Sequence, residues 1–528
     1  MLAQFEEIPT GSRLQADVCI IGAGPAGIAM AREFEGSDLN VLLIESGSLE
    51  FDKDTQNLYR GINERGDFKL HKSRFRIFGG TSYVWGGWCA PLDESDFETR
   101  AWVKDSGWPI TLADLGLFYR RAQPLFELGR YRYEVDQWDF GTAELLSLDR
   151  AKLRHILWQL SPPTVFGTAY LEGLRASKNV RVLLHANATE IVTDSDGSSV
   201  SQIFLQDLHG RKSEVSAGAY VIACGGIETA RLLLASSRNR PRILGNGHDL
   251  VGRFFMEHPH PDAGGVVFSV EPELLRAYFE REFDSGSIVL GWGPSAEAQE
   301  KLGILNCSVA LHGAFRHEPS EGMDSLTKLA RAMESRRWPD DVGGHVWRVL
   351  RDLDNVLRES YMRVTEGPVT GFGLIARTEV APNPSNRLML SNELDELGMP
   401  RIKLVWNVGE LERLTVERTV NLLAQEFGRL GMGRVRINQM LLEDNDAWSR
   451  NLSWFGHHMG TTRMSSDPKT GVVDVDCKIH GVSNLYVASS SVFPTCGYAN
   501  PTLTIAALAI RLADHLKGMA KSGSLSGG

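Results

Sequence analysis

The sequence predicts two fold classes in one chain, α/β at its ends and α+β in its middle, and three observations predict them. Near the N-terminus an apolar run rich in β-branched residues stops at a glycine. A helical stretch and a second apolar run follow, a β-α-β unit of about thirty residues. From about Gly264 to Asp444, alternating strand patterns mix with charged helices, as in an antiparallel sheet with helices on one side. From Trp454 to Lys517 the glycine- and serine-rich style returns and ends in a helix.

In chain order, Ala16-Asp-Val-Cys-Ile-Ile-Gly22 reads as a buried parallel strand. Gly22-Ala-Gly24-Pro25-Ala26-Gly27 turns the chain and opens a helix, and Asn40-Val-Leu-Leu-Ile-Glu45 is the second strand. A glycine triplet between a strand and a helix is where a Rossmann-like dinucleotide site needs it. The first glycine makes the turn, the second admits pyrophosphate against the backbone, and the third lets helix and strand lie close. The helix N-terminus offers free N–H groups to the phosphates. Glu45 stands 18 residues after Gly27, near the ~20 at which an acidic side chain meets ribose hydroxyls, which suits FAD or NAD better than NADP.

A second glycine-dense stretch runs from Arg76 to Pro91 through Gly79, Gly80, Thr81, Trp85, Gly86, Cys89 and Ala90. Residues Val180 to Val192 read as paired strands, Gly218 to Gly225 repeats the strand-to-glycine pattern, and Ile227 to Ala235 reads as a helix. In the middle region strands are expected at Ser287–Leu290, Leu302–Ala310, Phe372–Val380, Arg387–Leu390 and Arg401–Trp406. Helices are expected at Leu326–Arg336, Trp347–Met362 and Glu410–Leu430.

The 528 residues suffice for about three domains or two large interwoven ones, and 42% hydrophobic with 23% charged residues excludes disordered and fibrous classes. Glycine, 53 residues against a usual ~7%, is in the excess expected of a backbone that meets a ligand closely. A formal charge of −10 with no offsetting basic stretch argues against nucleic acid. Six scattered cysteines without a C-x-x-C pair argue against zinc ribbons and disulfide frameworks and fit a reducing compartment. The start lacks a basic-then-apolar leader and no uncharged run is unbroken enough to span a membrane, so a soluble, cytoplasmic protein is expected. The Ser/Gly tail after Lys521 reads as disordered, and the charged stretch Arg336-Arg-Trp-Pro-Asp-Asp as a solvated turn.

The C-terminal region carries Gly456-His457-His458-Met459-Gly460-Thr461-Thr462-Arg463-Met464 and then Asn500-Pro501-Thr502. Asn500 reads as a helix cap and Pro501 as the first helical residue. The positive end of that helix would stabilise negative charge on a reduced flavin ring.

These motifs, with Gly79-Gly80-Thr-Ser-x-x-Trp85, Cys224-Gly-Gly226-Ile-Glu-Thr-Ala-Arg231 and Val251-Gly-Arg253, resemble the glucose–methanol–choline (GMC) flavin oxidoreductases over nearly the whole chain and in the right order. The resemblance implies FAD, a flavin domain built from discontinuous segments, a substrate domain with an antiparallel sheet over the flavin, and oxidation of an alcohol. It divides the chain into an FAD-binding domain at 1–263, with flavin-cover segments near 60–170, a substrate domain at 264–444, a return to the FAD domain at 445–520 and a tail at 521–528. Within the family, bacterial sugar dehydrogenases and pyranose oxidases look nearest. In the latter a histidine just before the tryptophan of the second glycine stretch carries a covalent flavin, and here that position is Val84, so dissociable FAD is expected.

The resemblance places the catalytic pair at His457 and Asn500. With the glycine motif it makes FAD-binding candidates of Gly22, Gly24, Pro25, Ala26, Gly27, Glu45, Ser46, Arg76, Gly79, Gly80, Thr81, Trp85, Gly86, Cys89, Ala90, Ala188, Ala223, Cys224, Gly225, Ser489, Pro501 and Thr502. A neutral imidazole, with an ordinary pKa of ~6.5, is matched to take a hydroxyl proton near neutral pH, and an Asn amide can hold the same oxygen. The Met256-Glu-His258-Pro-His260 cluster lacks a metal-ligand set and reads as a packed loop beside the flavin, so no metal is assigned. Trp85, Trp88, Trp292, Trp406 and Trp454 are candidates for a sugar-stacking wall or for core packing. The expected substrate is a sugar, glycoside or polyol, with oxygen, a quinone or a redox partner as acceptor. A homo-oligomer is left open. A flavin-dependent lyase and a non-catalytic FAD-binding subunit are the rival readings.

Overall fold

The structure, a computed structural model, describes all residues except 141–144, 241, 271, 284–285, 316–319, 336–337, 340, 358–359, 361–370, 444–446 and 526–528. The first sheet runs, edge to edge, through Leu2–Gln4, Val180–Leu184, Val41–Ile44, Arg13–Ile21, Lys212–Ile222, Val200–Gln206 and Asn187–Thr193, with Leu485–Val487 also paired to Lys212–Ile222. Val41–Ile44 is buried along its length, and so is Arg13–Ile21 from Val18 onward, as strands covered on both faces must be. Register fixes a shared edge. Ile21 lies opposite Ile44, and Ile222 opposite both Ile21 and Val487. Four parallel strands therefore end together and deliver Gly22, Glu45, Ala223 and Ala488 to one rim, where ligands of open α/β sheets bind. Three helices start from this rim: α1 (Pro25–Glu33), α2 (Gly225–Ser236) and, further along the chain, the C-terminal helix Thr502–Lys521.

The second sheet is antiparallel throughout, in the order Gly433–Ile437, Asp262–Phe268, Gly371–Thr378, Cys307–Phe315, Gly286–Pro294, Leu153–Leu160 and Trp88–Cys89, with Arg281–Phe283 on Gly286–Pro294. Two of its strands come from residues 88–89 and 153–160, before the middle region begins. Helix α3 (Glu410–Arg429) packs on one face, its Phe427 ring 5.3 Å from Trp292 and 5.5 Å from Phe268. The opposite face is left for a ligand. The C-terminal helix Thr502–Lys521, now α4, lies on α1 with its apolar face buried. A smaller sheet joins Arg387–Leu394, Pro400–Val405 and Gly61–Asn63.

Several expectations need correction. Val180–Val192 is two strands, but they do not pair: Val180–Leu184 lies beside Val41–Ile44, and Asn187–Thr193 pairs with Val200–Gln206 at the far edge. The left-handed His185 (φ 58°) redirects the chain between them. No strand starts at Leu302, which ends a helix, Ala296–Leu302, capped by the Ser295 side chain and closed by a left-handed Gly303. The strand begins at Cys307. The helix expected from Trp347 starts at Val342, where the Asp341 side chain caps it, and the one expected from Leu326 starts at Glu321. Arg336, the end of the Trp347–Met362 expectation, part of the solvated turn and the last three tail residues lie outside the described residues.

Candidate active site

A cavity of about 520 Å3 lies between the rim of the parallel sheet and the free face of the antiparallel one. Of the candidate FAD-binding residues, Gly22, Gly24, Pro25, Ala26, Glu45, Ser46, Arg76, Gly80, Thr81, Trp85, Gly86, Ala188, Ala223, Cys224, Gly225, Ser489, Pro501 and Thr502 line it. Gly27, Gly79, Cys89 and Ala90 are not on its wall. A Cβ on Gly27 would sit 1.9 Å from the Gly22 carbonyl oxygen, so this glycine serves the packing of α1 on its strand. Gly79, at φ 99°, would press on the Gly167 backbone at 2.4 Å. Cys89 and Ala90 are fully buried, Cys89 in a short strand against Gln159.

The rim is chemically suited to a dinucleotide. None of the cap residues Gly24, Cys224 and Pro501 makes a side-chain bond to its helix, so α1, α2 and α4 each turn uncapped N–H groups toward the cavity. A Cβ on Gly24 or Gly225 would meet no protein atom within 4 Å, so both leave space for a ligand against the backbone. The buried Glu45 carboxylate accepts from Ala23 N (2.9 Å), Gly47 N (2.7 Å) and Ser46 Oγ (3.1 Å), with lone pairs left for a ribose hydroxyl. Burial raises its pKa against those bonds. The Cys224 thiol donates to the Ile21 carbonyl at 3.1 Å, and burial pushes it up to about 12, so it is no nucleophile. Beneath the rim Glu228 binds Arg74 (2.7 Å), Arg76 (2.8 Å) and Arg231 (3.1 Å). Burial alone would raise this carboxyl, but the three guanidiniums hold it at about 2. FAD fits these residues.

His457 and Asn500 line another part of the cavity wall. Asn500 does not cap α4. Pro501 occupies the cap position, and the Asn500 carboxamide turns away, its Oδ1 accepting from Arg377 Nη1 at 2.5 Å and its Nδ2 standing 3.5 Å from His457 Nε2. His457 Nδ1 is 3.0 Å from His258 Nδ1, and His258 Nε2 is 2.9 Å from the Gly497 carbonyl. A carbonyl only accepts, so His258 carries its proton on Nε2. Burial takes its pKa down to about 3, so it is neutral and its Nδ1 is an acceptor. His457 therefore donates from Nδ1 and keeps a lone pair on Nε2, toward Asn500. Burial, then His258 and Arg377, hold His457 well below its ordinary pKa.

Glu257 anchors the turn before this histidine, accepting from His457 N at 2.8 Å and also from the backbone N–H groups of Phe455 and Gly456. His458, the other member of the pair, stacks on Phe68 with centroids 5.9 Å apart and lies 3.4 Å from Glu257. The His258 segment lies against His457, and among the described residues no group of three or more His, Cys, Asp and Glu is gathered as a metal ion would need. Trp85 and Trp88 line the cavity together with Trp158, which sequence reasoning missed. Trp292 stacks on Tyr278 in the core, and Trp406 packs edge-on to Trp454. Arg377, Ser308 and His312 on the antiparallel sheet were also missed. Only strand alternation bore on them, and it does not say which face meets the cavity.

Two family models described as GMC oxidoreductase match the chain, one at residues 166–260 and the other at 382–509. The chain is 25% identical over 565 residues to 6'''-hydroxyparomomycin C oxidase of Streptomyces lividus, covering 95% of this chain and 92% of that one. It is 27% identical over 340 residues to the fructose dehydrogenase large subunit of Gluconobacter japonicus, over 64% of this chain. There it spans about half, 54%, of the relative's length. Pyridoxine 4-oxidase from Mesorbium loti shares its fold, with a TM-score of 0.54, 17% identity and coverage of 95% of this chain and 99% of that one. The first model falls on the rim strand Lys212–Ile222 and on α2, the second on the segment that carries His457 and Asn500, and the chain thus carries an N- and a C-terminal GMC oxidoreductase domain match at these two stretches.

Proposed function

We propose that this chain binds FAD non-covalently and oxidises a CH–OH group of a sugar, glycoside or related polyol, with His457 as base. The rim around Gly24, Glu45 and Gly225 would hold the flavin, which would supply the hydride acceptor for the carbinol carbon. The observation that carries the reading is the relay from the Gly497 carbonyl through His258 to His457, which leaves Nε2 of His457 as an acceptor at the cavity, next to the Asn500 amide. His457 Nε2 takes the hydroxyl proton as the C–H bond breaks, so the carbonyl product has lost one proton and one hydride. Asn500 Nδ2 donates to the same oxygen and fixes the carbon for transfer. Trp88 and Trp158 offer apolar faces to a sugar ring, and the relative named for fructose supports that substrate class. Glu45 at the strand end takes the ribose hydroxyls. Val84, on the cavity wall, supplies no atom for a flavin bond.

The test is anaerobic addition of a panel of sugars, glycosides, amino sugars and cyclitols to the purified protein. Bleaching of the flavin band near about 450 nm is expected with at least one of them. A lyase would turn over without bleaching. Re-oxidation by air against a quinone then assigns the acceptor, and denaturation should release free FAD.

A further inference from the structure

A carboxamide presents two ends of nearly the same shape, one donating and one accepting, and the site works only if Asn500 shows its N–H end to the substrate oxygen. Nothing on α4 decides which end that is. The deciding contact comes from the antiparallel sheet. Arg377, on the strand Gly371–Thr378 opposite Ser308, donates from Nη1 to Asn500 Oδ1 at 2.5 Å. Its guanidinium lies beside Trp88 and Trp158, 5.7 and 5.8 Å from the ring centroids. Among the described residues its buried Nε has no hydrogen-bond partner. Among the described residues no carboxylate pairs with it, whereas Arg74, Arg76 and Arg231 share Glu228, and Arg100 grips Glu379.

We infer that Arg377 is the positioning residue of this site: it locks the Asn500 carboxamide with the N–H end toward His457 Nε2 and the substrate, and sets an unneutralised positive charge beside the oxygen that loses its proton. The inference rests on the reading of His457 and Asn500 as the reacting pair. A guanidinium unpaired with a carboxylate is costly to bury, and burial has brought it down to about 10. That cost has a use where negative charge develops on an alkoxide-like oxygen. The same charge opposes protonation of His457, and so keeps the base ready at lower pH. The groups facing His457 are His258, His260, His458 and Arg377, with Glu257 on its backbone N–H. Arg377 is the only permanent cation among these.

The test uses the FAD-loaded protein and the variants R377M, R377K, N500A and R377M/N500A. Stopped-flow flavin reduction is read with D-glucose, D-fructose and methyl β-D-glucopyranoside as the probes. NMR of histidine-labelled protein follows the His457 titration without any substrate. R377M is expected to keep FAD and slow reduction by on the order of 10²-fold at saturation, the penalty of a misplaced group. Its acid limb and its His457 titration should both move up in pH. R377K, which keeps the charge, should leave the titration in place and recover part of the rate. In the N500A background R377M should cost clearly less than in the parent, because the residue it positions is gone and only its charge is lost. Parental rates and an unmoved titration in R377M would overturn the inference, as would an R377M effect that multiplies in full with N500A. If R377M loses FAD, an R377K protein with parental rate and an NMR titration shifted upward would overturn it just as well. Failure of the wider reading shows elsewhere, in an H457A protein that reduces its flavin normally.

Discussion

The cavity has two walls built on different principles. The rim of the parallel sheet faces the cavity with backbone: glycines that leave room, and helix N-termini whose N–H groups have no side-chain cap. The antiparallel wall presents side chains, Ser308, His312 and Arg377 among them, at alternating strand positions. A backbone site depends on where glycine permits the chain to go, so its determinants are local. A side-chain site depends on which distant strand lies alongside. The first kind suits a group that is the same in every turnover, and the second can be altered residue by residue without disturbing it.

The sharpest break in that comparison is at the hinge between the walls. H457A should slow anaerobic flavin reduction by on the order of 10²–10⁴-fold while FAD stays bound, because the rim is untouched. Absorbance at the flavin band reports both quantities in one experiment, and equal loss of cofactor would mean that the walls are not separable. Next in size is a matched pair on the rim. G27A forces a methyl to within 1.9 Å of the Gly22 oxygen, so α1 must move, and a loss of about 1–3 kcal/mol with a lower Tm and poor FAD retention is expected. G24A adds the same methyl where no protein atom lies within 4 Å. It should leave the Tm of the FAD-free protein unchanged and weaken FAD binding alone, measured by titration of the stripped protein.

The smallest expected effect concerns Glu257. Burial pushes its carboxyl from an ordinary 4.5 up to about 8, against the backbone N–H bonds it accepts. Between those pH values the folded chain holds a proton that the unfolded chain has released, so this group's contribution to stability falls as pH rises across the window. E257Q has no proton to lose. Denaturant melts at a series of pH values should show a flatter decline for E257Q between about 4.5 and 8 than for the parent. Parallel declines would place the carboxyl nearer its ordinary value.

The two walls were unequally legible in the sequence, for the same physical reason. Gly22, Gly24, Gly27 and Glu45 announce the rim because turn, helix start and second strand follow one another within thirty residues. His457 and Asn500 were found through resemblance, not spacing, and Asn500 read locally is a helix cap, a role the fold gives to Pro501. Arg377 gave no signal beyond its place in a strand, since its partners Asn500 and Ser308 stand 123 and 69 residues away. The same non-locality misled the pairing of Val180–Leu184 with Asn187–Thr193, whose true neighbours are Val41–Ile44 and Val200–Gln206.

The rim joins residues 22–45, 223–228 and 489–502, so no nascent chain owns a cofactor site until α4 has emerged from the ribosome and docked. A ligand bound across the rim stabilises the docked α4 by linkage, so α4 should be more open to proteolysis when the site is empty than when it is filled.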